Sequence, residues 1–170
     1  MQSDQELLQR IDGGDEDALG ELYDLYYKLM SRFVLGITHD AQLTLEVIND
    51  VFMVVWDKAG SFRGDSAVST WILGIAYKKS LKAAAKQRWP LPLDAIADAT
   101  DDGTIERVLR GQEVREVMSK LSPDHRAVVE LSYYFGYSYK EIADIMACPE
   151  NTVKTRMFYA RRMLRSLLEA

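Results

Sequence analysis

The sequence predicts an all-α protein: two small helical domains joined by a short acidic linker, the second containing a helix-turn-helix. Three observations predict it. Apolar residues recur at spacings of three and four along most of the chain, the mark of helices with one buried face. The pattern breaks at residues 89–103, WPLPLDAIADATDDG, where two prolines are followed by Asp94, Asp98, Asp101 and Asp102. Residues 138–168, SYKEIADIMACPENTVKTRMFYARRMLRSLL, split into two helical patterns at Cys148-Pro149, because proline donates no backbone hydrogen bond and disfavours a helical residue before it. The expected domains are therefore residues 1–88 and 104–170, with 89–103 between them.

Ser3 and Glu6 form a capping box ahead of Leu7, Leu8 and Ile11, and Gly13-Gly14 ends that short helix. A longer helix follows, in which Leu19, Leu22, Tyr26, Met30, Phe33 and Ile37 make a core stripe, its aromatics packing against other helices. Residues 43–58 make a third helix, with Val47, Ile48, Val51, Phe52 and Val55 inward. Glu46, Asn49, Asp50, Met53 and Asp57 share its other face, an acidic stripe that serves either solvation or a basic partner.

Gly60 and Gly64 bracket a loop holding Phe62 and Arg63, and Asp65 or Ser66 is suited to cap a helix running to about Arg88. On it Lys78, Lys82 and Lys86 recur every four residues, with Lys79 beside them, while Trp71, Ile72, Ile75 and Ala76 lie on or near the inward side. A loop of small polar residues before a basic helix with an aromatic at its start has the parts to hold unstacked bases of a single strand. The same residues also fit a core tryptophan and a solvated lysine face.

Beyond the linker, periodicity resumes at Thr104 and runs through Leu121, and Ser122-Pro123-Asp124 starts a further helix through Val128, Val129 and Leu131. In the helix-turn-helix, Ser138 with Glu141 makes a second capping box, and Ile142, Ala143, Ile145 and Met146 face inward. The helix after Pro149 buries Val153, Met157, Ala160 and Leu164. Its other faces carry Asn151, Thr152, Lys154, Thr155, Arg156, Arg161, Arg162 and Arg165. Hydroxyl and amide groups in the first turns with arginines behind them suit the major groove, where early residues meet base edges and later ones meet phosphates.

One cysteine allows no internal disulfide, and with two separated histidines it makes no zinc set, so no cofactor or metal is expected and a reducing compartment fits. The N-terminus MQSDQELLQR is polar and no apolar run approaches the roughly 20 residues that cross a bilayer, so a cytoplasmic protein without membrane insertion is expected. A net charge of -5 counts against binding DNA through the overall field, but the charge is uneven. Residues 1–60 are strongly acidic, whereas residues 63–88 and the last helix are basic.

Four segments, NDVFMVVW at 49–56, SFRGDSAVSTWILGIAYK at 61–78, LSPDHRAVVELSYYFGYSYKEIADIM at 121–146 and TVKTRMFYARRML at 152–164, stand in an order and spacing that resembles the bacterial sigma factors of the extracytoplasmic-function (ECF) class of the sigma-70 family. The resemblance covers nearly the whole chain. It implies a sigma factor that binds core RNA polymerase and directs it to promoter DNA, with no catalysis of its own. It further implies that Glu46, Asn49, Asp50, Met53 and Asp57 meet the coiled coil of the largest polymerase subunit. Phe62, Arg63, Ser69, Trp71, Lys78, Lys79 and Lys82 would recognise the minus-ten element and hold a flipped base. Asn151, Thr152, Lys154, Thr155, Arg156 and Arg161 would read the minus-thirty-five element. The linker would run near the RNA exit path, and an anti-sigma factor or other regulator would cover these surfaces.

Two departures stand out. Thr44-Leu45-Glu46 lacks one of the adjacent acids usual before the polymerase-binding helix, and by resemblance to branches that restore the charge by phosphorylation, Thr44 is a candidate regulatory phosphosite. Lys78 and Lys82 replace the commoner asparagine and aspartate, making that helix more basic. The competing reading is an autonomous helix-turn-helix regulator, against which stand the acidic balance and the lack of a second symmetric reader. An enzyme is more distant, since no nucleophile-base pair, metal set or phosphate loop is present.

Overall fold

Each half of the chain wraps an apolar stripe per helix around shared neighbours, and the two stripes meet in one continuous core. The computed structural model describes residues 3–86 and 116–169. The linker at 89–103 and the helical stretch expected from Thr104 fall largely outside these residues. All regular structure among the described residues is helical.

The first half contains α1 (Asp4–Asp12), α2 (Glu16–Thr38), α3 (Ala41–Lys58), a single 3-10 turn at Ala59–Ser61 and α4 (Val68–Ala85). The expected capping box opens α1: Ser3 Oγ accepts from Glu6 N at 3.3 Å, and Ser3 N donates to a Glu6 carboxylate oxygen at 3.1 Å. Gly13 caps the end, and Gly14 at φ 87° supplies the left-handed turn that releases the chain into α2. There Asp15 caps through Ala18 N at 3.1 Å. Leu22, Met30, Phe33 and Val34 of α2 are fully buried against α3 and α4. Fully burying a side chain of this kind contributes roughly 1.5–3 kcal/mol. Asp40 caps α3 through Leu43 N at 2.9 Å.

At α4 the structure departs from expectation. Ala67 occupies the cap position with no side-chain cap bond, and the helix begins at Val68. Ser66 directs its hydroxyl to the Ala67 carbonyl, and Asp65 lies 3.6 Å from Arg63, so neither carboxylate nor hydroxyl turns toward the helix end.

The second half contains α5 (Pro123–Val129), a π turn at Glu130–Tyr134, α6 (Tyr139–Met146) and α7 (Glu150–Glu169). Ser122 caps α5 with Pro123 in its first turn. The capping box of Ser138 and Glu141 opens α6, which ends at Ala147 in the left-handed region at φ 51°. The Pro149 carbonyl then accepts from Thr152 N and Val153 N, so α7 starts one residue after the proline.

The halves meet along a seam. α4 packs on α6, with the space beside Gly74 filled by Ile145 backbone, whose carbonyl oxygen would lie 3.5 Å from a Cβ there. Phe33 of α2 meets Phe135 edge-on at 6.3 Å between centroids. Arg126, 1% exposed, donates to Met118 O and Leu121 O at 2.9 Å, to Ser119 O at 3.1 Å and, across the seam, to Gly36 O at 2.9 Å. Its guanidinium also sits against His39 Nε2. Burial, with the Arg126 charge beside it, pulls His39 down to about 4, so the ring is neutral and its nitrogen accepts. Glu130 as a residue is partly exposed, but its Oε2 is sealed from solvent and finds no hydrogen-bond partner among the described residues. Burial pushes this carboxyl up to about 8, against the pull of Arg126.

These two groups set opposite pH dependences. Glu130, raised from 4.5, favours the fold fully below that value and loses the contribution as pH rises through about 8; His39, lowered from 6.5, contributes fully above 6.5 and loses it as pH falls toward 4. Of the two, only Glu130 titrates between pH 6.5 and 8. Stability should therefore fall across that window by at most about 2 kcal/mol, since one proton is worth about 1.4 kcal/mol per pH unit. Glu130→Gln should flatten the dependence. Urea unfolding of both proteins at the two ends of the window measures it, and equal slopes would contradict the assignment.

Candidate functional site

Three surfaces carry the residues singled out in the sequence. On α3, Thr44, Val47, Ile48, Val51, Phe52 and Val55 face the core, which leaves Glu46, Asn49, Asp50, Met53 and Asp57 all exposed on the opposite side. Met53 is 60% exposed in the middle of this stripe, and Leu45 at 48% flanks it. The surface is thus acidic with an apolar contribution, which fits a basic partner better than mere solvation would require. Leu45 escaped the sequence reading although it stands four residues before Asn49, on one line with Met53 and Asp57, because an aliphatic residue in a helix normally signals core.

Thr44 points the other way. It is 5% exposed, its hydroxyl donates to Asp40 O at 2.7 Å, and it lies 2.9 Å from Thr38 Oγ1. The hydroxyl closes the first turn of α3, so a kinase would reach it only with that turn open.

The second surface is the loop before α4 and the outer side of that helix. Phe62 and Trp71 are both partly buried and pack together, centroids 5.5 Å apart and planes tilted by 57°. Trp71 is therefore neither a sealed core residue nor a free platform; with Phe62 it anchors the loop between them. Arg63 is open to solvent, and its ion pair with Asp65 at 3.6 Å, both side chains more than 80% exposed, contributes little. Ser69 is partly buried in the first turn. Lys78 and Lys82 are exposed and Lys79 partly so, while Ile72, Leu73, Ala76 and Tyr77 turn inward. The lysines form an open basic line backed by packed helix.

The third surface is α7. Val153, Met157 and Ala160 are buried, and Asn151 and Thr155 lie on the directly opposite side. Continuing that line at the same spacing reaches Phe158, 61% exposed, and Arg162. Phe158 was missed as a candidate because an aromatic in a helix normally signals core; its place seven residues on from Asn151 and three on from Thr155 would have found it. A phenyl ring there suits a thymine methyl group. Lys154 is exposed and pairs with Glu150 at 3.7 Å. Thr152 is partly buried. Arg161 donates to the Tyr133 hydroxyl at 3.0 Å, its guanidinium over that ring at 5.6 Å. Arg156 leaves the outward line altogether: it reaches back to Asp124 at 3.6 Å with its side chain 26% exposed. As the structure stands, Asn151, Thr155, Phe158 and Arg162 are presented to a groove, and Arg156 and Arg161 are held by the protein.

No group of His, Cys, Asp and Glu among the described residues is placed to hold a metal ion.

Comparison with known proteins places these surfaces in a family context. Residues 22–90 match sigma-70 region 2, and residues 111–164 match sigma-70 region 4. The chain is 30% identical to the RNA polymerase sigma-H factor of Pseudomonas aeruginosa, over 99% of this chain and 95% of that protein. It is 30% identical to the ECF RNA polymerase sigma-E factor of Escherichia coli, over 95% and 92%. Among solved structures, that of CnrH in complex with the cytosolic domain of CnrY shares the fold with a TM-score of 0.75 at 20% identity, covering 99% of this chain and 98% of that one.

The inward Thr44 generates a stability prediction. Thr44→Val keeps the shape and should cost about 1 kcal/mol for the lost hydrogen bonds, whereas Thr44→Glu forces a carboxylate into the same space and should cost about 2 kcal/mol or more. Urea unfolding midpoints check this; a glutamate tolerated as well as valine would mean that the first turn opens readily.

Proposed function

From the premise that the chain belongs to the ECF class of the sigma-70 family, we propose how its surfaces divide the work of an alternative sigma factor, which binds core RNA polymerase and directs promoter recognition and transcription initiation. Residues 1–88 dock on polymerase through Glu46, Asn49, Asp50, Met53 and Asp57 and engage the minus-ten element through the Phe62–Trp71 loop and Lys78, Lys79 and Lys82. Residues 104–170 read the minus-thirty-five element through the outward line of α7. Residues 89–103 join them.

The observation that carries this reading is the separation of charge on a common core. An exposed acidic stripe on α3 and an exposed lysine line on α4 are each backed by a buried face of their own helix, so both are free to meet macromolecules of opposite sign. The protein contributes binding and positioning, not catalysis. It works in the cytoplasm with the polymerase; no described helix is long and apolar enough to cross a membrane. The solved relative CnrH is held by the cytosolic domain of CnrY, which supports a protein regulator for this chain as well, an anti-sigma factor being the expected kind.

Asp50→Arg should abolish binding to core polymerase while leaving the unfolding free energy within about 0.5 kcal/mol of the parent, because Asp50 is exposed. Lys78→Ala combined with Lys82→Ala should reduce open-complex formation about tenfold at moderate salt, with core binding changed less than twofold. The slope of log affinity for promoter DNA against log salt should fall by about 0.9 for each lysine that contacts a phosphate. Equal loss of core binding and open-complex formation would count against the role given to α4.

A further inference from the structure

The two sides of α7 that flank its outward line are unlike. Lys154, Phe158, Arg161 and Arg165 follow one another at spacings of four, three and four along one side, and all four are exposed. Thr152, Arg156, Tyr159 and Met163 repeat the same spacings on the other. That second side presents an exposed ring and an exposed thioether, and its one cation, Arg156, already faces Asp124 at 3.6 Å. A helix lying in a groove has a phosphate strand on each side, so the three cations mark the side that bears on phosphates more strongly. Of these, Lys154 is shared with Glu150 at 3.7 Å, which leaves the weight on the arginines.

Arg161 is held in a different way from Arg156. Its Nε donates to the Tyr133 hydroxyl oxygen at 3.0 Å, and its guanidinium carbon lies 5.6 Å from the centre of that ring. Tyr133 belongs to the π turn Glu130–Tyr134, ahead of the helix-turn-helix, and is 61% exposed. A carboxylate partner would cancel the charge of the arginine; a phenol does not. The bond takes one N–H group and some of the freedom of a long side chain, and it leaves the positive charge and the other N–H groups to an anion. Since the hydroxyl oxygen is the acceptor here, its own proton remains to be donated. A phenol and a guanidinium thus stand side by side on an exposed surface as donors, a set that matches the several acceptor oxygens of a phosphodiester.

We propose that Tyr133 and Arg161 form a seat for one backbone phosphate of DNA, in which Tyr133 both orients the guanidinium and donates to the phosphate. The seat deepens the functional reading above and rests on it for the placement of α7 in the groove. It adds to the recognition helix a contact from outside the helix-turn-helix, one that sets register and is indifferent to base sequence.

The test measures binding of the full chain alone to a fixed mixed-sequence duplex at low salt, and in parallel run-off transcription with core polymerase on promoter fragments. Arg161→Ala should lower duplex affinity at least tenfold and reduce the slope of log affinity against log salt by about 0.9, the value of one phosphate contact. Tyr133→Phe keeps the ring under the guanidinium and removes only the hydroxyl; it should weaken binding about tenfold, as loss of a hydrogen bond to a charged group does, with the salt slope unchanged. Tyr133→Phe added to Arg161→Ala should cost little further, because the two act on one phosphate. Arg161→Lys should restore the slope but not the affinity, since an ammonium lacks the planar fork that Tyr133 orients.

Duplex binding by Tyr133→Phe equal to the parent, additive losses in the double variant, or a salt slope untouched by Arg161→Ala would each overturn the seat. So would a loss of unfolding free energy with duplex affinity unchanged, which would make the pair a structural link. Weakened capture by core polymerase with duplex binding intact would overturn it too and assign the pair to a protein contact. The expected coupling on the duplex, in a chain that adds no start sites with polymerase, would defeat the functional reading and leave the seat standing.

Discussion

A guanidinium removed from water must find protein acceptors for its five N–H groups, and this demand shapes the molecule around Arg126. Its acceptors come from two places: the carbonyls of Met118, Ser119 and Leu121 in the segment leading to α5, and the Gly36 carbonyl with His39 Nε2 at the end of α2. The first group fixes the start of the second half; the last fixes that half against the first. His39 stays neutral because it is buried and has this cation beside it, and Glu130 lies in the same place although its own burial opposes ionisation. A buried polar cluster of this kind contributes geometry more surely than net stability, because desolvation offsets most of the attraction. What it specifies here is how the halves meet.

That placement changes what the helix-turn-helix can do. Taken alone, α6 and α7 form a helix-turn-helix with a packed inner face and Asn151, Thr155, Phe158 and Arg162 outward. In this structure the same unit packs its α6 face on α4, while Asp124 of its own half holds Arg156. For a protein of net charge -5, affinity for promoter DNA has to come from local basic lines and from being carried by polymerase, since the overall field repels the duplex. The acidic stripe of α3 is exposed on the side of that helix opposite its buried face.

Local chemistry was legible in the sequence. The capping boxes at Ser3–Glu6 and Ser138–Glu141, the glycine stop at Gly13-Gly14 and the break at Cys148-Pro149 all stand where the residues put them, because each depends on contacts within four residues. The acidic stripe was legible for the same reason, periodicity alone settling which side of α3 is buried. The start of α4 was not: two capable caps, Asp65 and Ser66, find other partners, and propensity cannot rank such alternatives. Thr44 was a candidate phosphosite by resemblance, although it stands three and four residues before Val47 and Ile48 on the buried stripe; there its hydroxyl meets Asp40 and Thr38. The seam left no local trace at all. Periodicity says that Gly36, Gly74 and Glu130 lie on helices, but not that a glycine makes room for a carboxylate 94 residues away or for the backbone of another helix.

The most direct test of the functional account is run-off transcription with the purified chain and core polymerase on a library of promoter fragments, alongside binding of the same fragments by the chain alone. The account predicts discrete start sites that depend on the chain and weak, salt-sensitive duplex binding without polymerase. Tight, sequence-specific duplex binding by the chain alone, with no start sites added to those of core polymerase, would contradict it.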